Sequence, residues 1–134
     1  MDFSNIAKDA LPWATSLAAH FGGDLILLHV VEKSPMDNLL GRELINETIV
    51  PFMKQAEADL EHMVRSLSKS TEGDVSAVVR TGTPFEEICQ AAKKLGADLI
   101  VLTTRGQTGL KRVWLGSTAE RVVRHAPCPV LAVR

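Results

Sequence analysis

The sequence predicts an α/β fold, doubly wound around a mostly parallel sheet. Three observations carry this. Helix-period segments and short apolar runs alternate along the chain in the order α-β-α-β-α-β-α-β, the pattern of strands joined by right-handed helical crossovers. The run Asp24 to Val31 (DLILLHVV) is almost continuously apolar, as expected of a strand buried on both faces of a parallel sheet. A second apolar run, Leu99-Ile100-Val101-Leu102, leads into Thr103-Thr104-Arg105-Gly106-Gln107-Thr108-Gly109, and Leu115-Gly116-Ser117-Thr118 then opens a helix-like segment. A strand, a glycine-bearing loop and a helix start in that order can form an anion site, because free backbone N–H groups and the positive helix end converge there.

Ser4 or Asn5 is expected to cap a first helix running to about His20, with Leu11, Leu17 and Ala18 on its buried stripe, a kink near Pro12, and Gly22-Gly23 as its stop. The strand from Asp24 to Val31 follows, then a loop across 32–42 holding Pro35, Asn38 and Gly41. From about Glu43 to Ser70 the pattern is helical, Pro51 marking an entry or a kink. Ile49, Phe52, Met53, Ala56, Leu60, Met63, Val64 and Leu67 fall at helical spacing and should form its buried face. Val75 to Val79 reads as a shorter strand. Thr83-Pro84-Phe85-Glu86 is a helix start with Thr83 as N-cap, Pro84 at the first helical position and Glu86 closing a capping box. That helix should run to Leu95 and stop at Gly96. Ala97 to Thr103 is the next strand, a helix from about Ser117 to His125 opens with a second capping box (Ser117 and Glu120), and Pro127-Cys128-Pro129 leads into a last strand, Val130 to Val133.

Bulk properties narrow the function. At 134 residues the chain reads as one domain, residues 1–134, and its 46% hydrophobic and 23% charged residues are globular values. A net charge of −1 is unlike a protein held to nucleic acid by bulk electrostatics, and the absence of Tyr speaks against a base-stacking surface. No apolar run reaches the roughly 18 residues of a membrane span, and Met1-Asp2-Phe3-Ser4 lacks the basic region of a signal peptide. Two cysteines, Cys89 and Cys128, make no disulfide framework and fit a reducing compartment, so a cytoplasmic location is expected. His20, His29, His62 and His125 show no metal-ligand spacing, and no nucleophile elbow, zincin or Walker A pattern is present. Asp2, Asp98 and Glu86 have no evident carboxylate partner for acid–base work. The sequence therefore offers a binding site without a clear catalytic set. Arg105, Lys111 and Arg112 could screen phosphate charge or form a solvated basic edge, and Trp114 and Leu115 could cover a ligand or pack beneath the loop.

The chain resembles the universal stress protein family in Asp2-Phe3-Ser4, in Leu27-Leu28-His29-Val30-Val31, in Gly82-Thr83-Pro84, and in the stretch from Thr103 through the closing HAPCPVLAVR. The resemblance implies an adenine nucleotide alpha hydrolase-like fold with five parallel strands in the order 3-2-1-4-5. It also implies ATP binding, with Mg²⁺, through G-x2-G-x9-G-[S/T]. Gly106 matches the second glycine, Gly116 the third and Ser117 the hydroxyl residue, whereas Thr103 stands where the first glycine is expected. By the same resemblance Asp2 meets the adenosine part, the Val30 backbone lines the base pocket, Gly109 belongs to the loop, Thr118 adds an N–H to the phosphate nest, and Val130 to Val133 is the edge of a homodimer. The family's first, central strand has no counterpart here. The expectations are that Met1 is an internal methionine of a longer chain or, alternatively, that a neighbouring chain supplies the strand. The function implied is a small nucleotide-binding module of the stress response. The alternatives are a nucleotide-independent dimerising protein, which Thr103 favours, and a slow ATP hydrolase, for which no general base can be named.

Overall fold

A computed structural model describes residues 3–33, 39, 41–104 and 115–134. Its elements run α1 (Phe3–Phe21), β1 (Leu25–Glu32), α2 (Arg42–Ser68), β2 (Val75–Gly82), α3 (Pro84–Leu95), β3 (Ile100–Thr103), α4 (Ser117–His125) and β4 (Val130–Val133). The alternation and the fold class are those read from the sequence. β1 and β2 pair in parallel from Leu25 opposite Val75 to Glu32 opposite Gly82. β3 and β4 pair in parallel from Ile100 opposite Val130 to Thr103 opposite Val133. Among the described residues these are two separate two-stranded sheets, with no ladder joining one to the other.

Local chemistry explains most boundaries. α1 ends at Gly22, whose φ of 64° only glycine adopts without strain, and the Gly23 N–H closes the last turn on the Ala18 carbonyl at 2.8 Å. Ser4 and Asn5 lie inside α1, which begins at Phe3, so neither is its cap. Asp24 stays out of β1: its carboxylate accepts the Asp74 N–H at 3.0 Å, and the Leu25 N–H reaches the Asp74 carbonyl at 2.9 Å. These two bonds set the β1–β2 register. β2 outruns the expected Val75–Val79 because a parallel ladder needs only backbone groups, and Arg80 and Thr81 continue it to Gly82. β3 starts later than Ala97 because its partner β4 starts at Val130; the Ile100 N–H meets the Pro129 carbonyl at 3.0 Å.

α2 runs unbroken through Pro51, which therefore marks no entry. On α2, Ile49, Ala56 and Leu60 are buried, Leu60 to 1% exposure, but Phe52 is 67% exposed and does not belong to the buried face. Ala77 and Val79 of β2 face α2, while Arg80 points the other way, to Glu87 of α3. α3 packs against β1, β2 and α4; α1 packs mainly on β3 and also on β1. The helices thus bridge the two strand pairs. The strands are not buried on both faces as their apolar runs suggest. Leu25 alone among the described strand residues is fully buried, and the rest of β1 to β4 is half-buried or exposed. The accessible surface is 9439 Å², against roughly 6,900 Å² expected for a compact monomer of this mass.

Candidate functional site

The expected anion site straddles the carboxyl end of β3 and the start of α4. Thr103 is the last residue of β3 and lies opposite Val133. None of the described non-glycine residues has a positive φ, so Thr103 costs no backbone strain at a position where the family pattern has glycine. Thr104 is buried to 8% exposure. Its N–H donates to the Val133 carbonyl, and its carbonyl accepts the Gly116 N–H, each at 2.8 Å. One residue thus extends the β3–β4 ladder and pins the start of α4 to it. Thr104 falls within the loop stretch read from the sequence but has no role of its own in that reading; its signal is a polar residue directly after an apolar run.

Gly116 is the N-cap of α4, with φ −63° and ψ 159° and no side-chain cap bond. Its carbonyl accepts the Glu120 N–H at 2.9 Å. Ser117 is consequently the first helical residue and not the cap, and the expected Ser117–Glu120 capping box is not formed. The bond from Gly116 to Thr104 makes Gly116 the last extended residue, which moves the cap one position earlier, and Glu120 instead pairs with Arg124 at 2.8 Å. The capping box at Thr83 is likewise absent, although Thr83 is the N-cap and Pro84 the first residue of α3. In α4 the N–H groups of Ser117, Thr118 and Ala119 occupy the first-turn positions that lack an intrahelical acceptor. Ser117 and Thr118 are exposed. The helix dipole adds positive potential at the same place.

The structure therefore brings together Thr103, Gly116, Ser117 and Thr118. Val30 stands in the other strand pair, opposite Arg80. The remaining expected positions, Asp2, Gly106 and Gly109, and with them Arg105, Lys111, Arg112 and Trp114, lie outside the described residues. Next to Val30, Arg80 makes a long ion pair of 3.5 Å with Glu87, and its buried Nε has no hydrogen-bond partner. This strand-to-helix pair seven residues apart has no periodic signal in the sequence. Two shallow grooves of about 340 and 150 Å³ lie between α2 and β2, lined by Glu57, Leu60, Glu61, Val64, Ala77 and neighbours, and not at the start of α4.

Neither thiol is activated. Burial, with Cys128 as the next cause, pushes the Cys89 thiol up; burial and Asp98 push the Cys128 thiol up, against a smaller opposing bond from the Ile100 backbone. Burial lowers the pKa of His29, opposed by the nearby Asp59 carboxylate. A raised thiol pKa means less thiolate at neutral pH, the opposite of what a nucleophile requires. No helix among the described residues is long and apolar enough to cross a membrane.

Comparison with known proteins places this geometry. The profile of the universal stress protein family matches residues 1–134. Universal stress protein MJ0531 of Methanocaldococcus jannaschii is 35% identical over 136 residues, covering 99% of this chain and 78% of that protein. The solved structure of MJ0577, from the same organism, superposes with a TM-score of 0.83 at 30% identity, over 99% of this chain and 90% of that one. At 21% and 20% identity, universal stress proteins solved in complex with dAMP and with cAMP share the fold, with TM-scores of 0.64 and 0.58.

Proposed function

The chain belongs to the universal stress protein family, and from that premise we propose that it is a small ATP-binding module of the stress response, cytoplasmic and without a dedicated catalytic set. The observation that carries the reading is the clasp at Thr104. It holds the end of β3 and the start of α4 together and leaves first-turn N–H groups of α4 at the carboxyl edge of the strands, where ligands of open α/β sheets lie. The phosphates take the N–H groups of Ser117 and Thr118. The Gly116 N–H, spent on Thr104, is not a donor, and Gly116 serves instead as the cap that aims the helix. Thr103 flanks the phosphates, the Val30 backbone lines the base pocket, and Asp2, Gly106 and Gly109 complete the site. Mg²⁺ arrives with the nucleotide. The adenine nucleotides held by the dAMP- and cAMP-bound relatives support the same class of ligand. A homodimer forms through β4, whose edge away from β3 pairs with no described strand.

Calorimetric titration of the chain with Mg-ATP tests this. Saturable binding at one site per chain is expected, with ATP turnover slow. Absence of binding refutes the nucleotide module and favours the nucleotide-independent dimer, for which the departure at Thr103 is the supporting observation.

A further inference from the structure

We propose that the groove between α2 and the outer edge of β2 is a peptide-docking surface. It takes an extended segment of a partner protein that pairs with β2 as an added strand and carries a lysine or arginine between aliphatic residues on its groove side. The surface lies away from the start of α4 and needs no nucleotide.

One edge of β2 is laddered to β1 from Val75 to Gly82, and its other, outer edge pairs with no described strand. Such an edge offers free N–H and C=O groups to any extended chain, and proteins ordinarily guard it with short length, proline, a bulge or an outward charge. β2 has none of these guards. It is eight residues long and contains no proline. Its register against β1 is unbroken over that whole length, so no bulge twists the edge away. Its single charged side chain, Arg80, is turned to Glu87 of α3, away from α2.

The chemistry of the occupant follows from what roofs this edge. Two grooves of about 340 and 150 Å³ open between α2 and β2. Their floor is Ala77 and Val79, and their apolar wall is Leu60 and Val64. Their rim is Glu57, Glu61 and Arg65, four residues apart and therefore one stripe of α2. All three are exposed, and none belongs to a salt bridge among the described residues. An added strand turns alternate side chains toward α2. One of them lies beside Val79, against Leu60 and under the Glu57 and Glu61 carboxylates. A lysine or arginine fits there, its stem on the apolar wall and its charge at the rim. The side chain two residues away lies beside Ala77 and Val64, where an aliphatic group fills the groove. An acidic residue in place of the basic one would face two like charges. Main-chain bonds would hold the segment and the alternate pockets would select it, as in other cases of strand addition at a sheet edge.

The probe is the capped peptide Thr-Val-Thr-Lys-Thr-Val-Thr, whose groove side reads Val-Lys-Val in either chain direction. It is titrated into the full chain without nucleotide, beside the same peptide with glutamate in place of lysine. Amide shifts and hydrogen exchange are read by NMR. The expected result is saturable shifts centred on Val75–Gly82 and slower exchange at the β2 amides that do not face β1. The glutamate peptide should bind about fivefold more weakly or worse, since two exposed charge pairs turn from attractive to repulsive. In a chain carrying Glu57→Lys and Glu61→Lys, both on the exposed stripe of α2, the preference should reverse and the glutamate peptide bind the tighter. Absence of a saturable response at β2 to the lysine peptide overturns the proposal. So does an equal response to both peptides, or a preference that the double substitution leaves unchanged. Concentration-dependent protection of the outer β2 amides in the chain alone also overturns it, because a second copy then occupies the edge.

Discussion

Replacing Ser117 with proline is the sharpest probe of the phosphate site. Ser117 is the first residue of α4, a position whose N–H has no intrahelical acceptor. Proline there removes that N–H and the hydroxyl while leaving the helix hydrogen bonds intact, and its fixed φ suits the position. The preceding residue must be extended, and Gly116 already is, at φ −63° and ψ 159°. The chain uses the same arrangement at α3, where Thr83 at φ −82° and ψ 122° precedes Pro84. Stability should therefore stay within about 0.5 kcal/mol of wild type, the range of a substitution that breaks no native contact. A hydrogen bond to a charged phosphate is worth about 1.5–3 kcal/mol, so Mg-ATP affinity should fall about ten- to a hundredfold. Ser117→Ala, which keeps the N–H, separates the hydroxyl from the backbone and should lose far less. Calorimetry gives the affinities, and urea melts verify the fold. An unchanged affinity in Ser117→Pro, with the fold intact, refutes the placement of phosphate at the start of α4.

Two further perturbations probe the scaffold. Gly73→Ala would push a Cβ into the Gly23 carbonyl and against the Asp24 carboxylate, at the contact that sets the β1–β2 register through Asp24 and Asp74. Overpacking of about 1–3 kcal/mol outweighs the roughly 0.4–1 kcal/mol gained from a stiffer unfolded chain, so a lower urea midpoint is expected; Gly23→Ala, which meets nothing within 4 Å, serves as the near-neutral control, and equal midpoints for the two would contradict the contact. His29 gives a pH dependence. Its folded pKa is lowered from 6.5, chiefly by burial and against the pull of Asp59. Below 6.5 the unfolded chain binds the extra proton first, so stability falls as pH drops from 6.5 toward the folded value and levels off beneath it. Urea midpoints between pH 7.5 and 5 should show that fall, and His29→Gln should flatten it; an identical slope in the variant would assign the effect elsewhere.

Where local chemistry decides, the sequence was readable. α3 is bounded as expected because Pro84 suits a first helical position and Gly96, at φ 63°, is a C-cap that other residues enter only with strain. Gly22 stops α1 for the same reason. Where a distant partner decides, the reading slipped. β3 is cut to Ile100–Thr103 by the length of β4, and the cap of α4 moves to Gly116 because Thr104, twelve residues earlier, claims its N–H. The run DLILLHVV carries the composition of a strand covered on both faces, yet composition reports what a strand can bury and not what covers it; only Leu25 of β1 is fully buried. Phe52 fits the helical period of α2 but stands 67% exposed, because period alone does not say which turns of a long helix are covered.

The Thr104 clasp also bears on how much the departure at Thr103 matters. If the loop between β3 and α4 had to place the phosphate donors by its own conformation, each glycine in it would be indispensable. In this chain the donors of α4 are placed from the sheet instead: Val133 holds Thr104, Thr104 holds Gly116, and Gly116 starts the helix. Thr103 lies in the regular part of that ladder with an ordinary backbone. Its Cβ is then a question of space beside the ligand and not of loop geometry. On the proposed reading the described phosphate donors belong to one strand pair, whereas Val30, proposed for the base pocket, stands in the other. Loss of affinity for inorganic triphosphate together with ATP is the signature expected of a broken clasp.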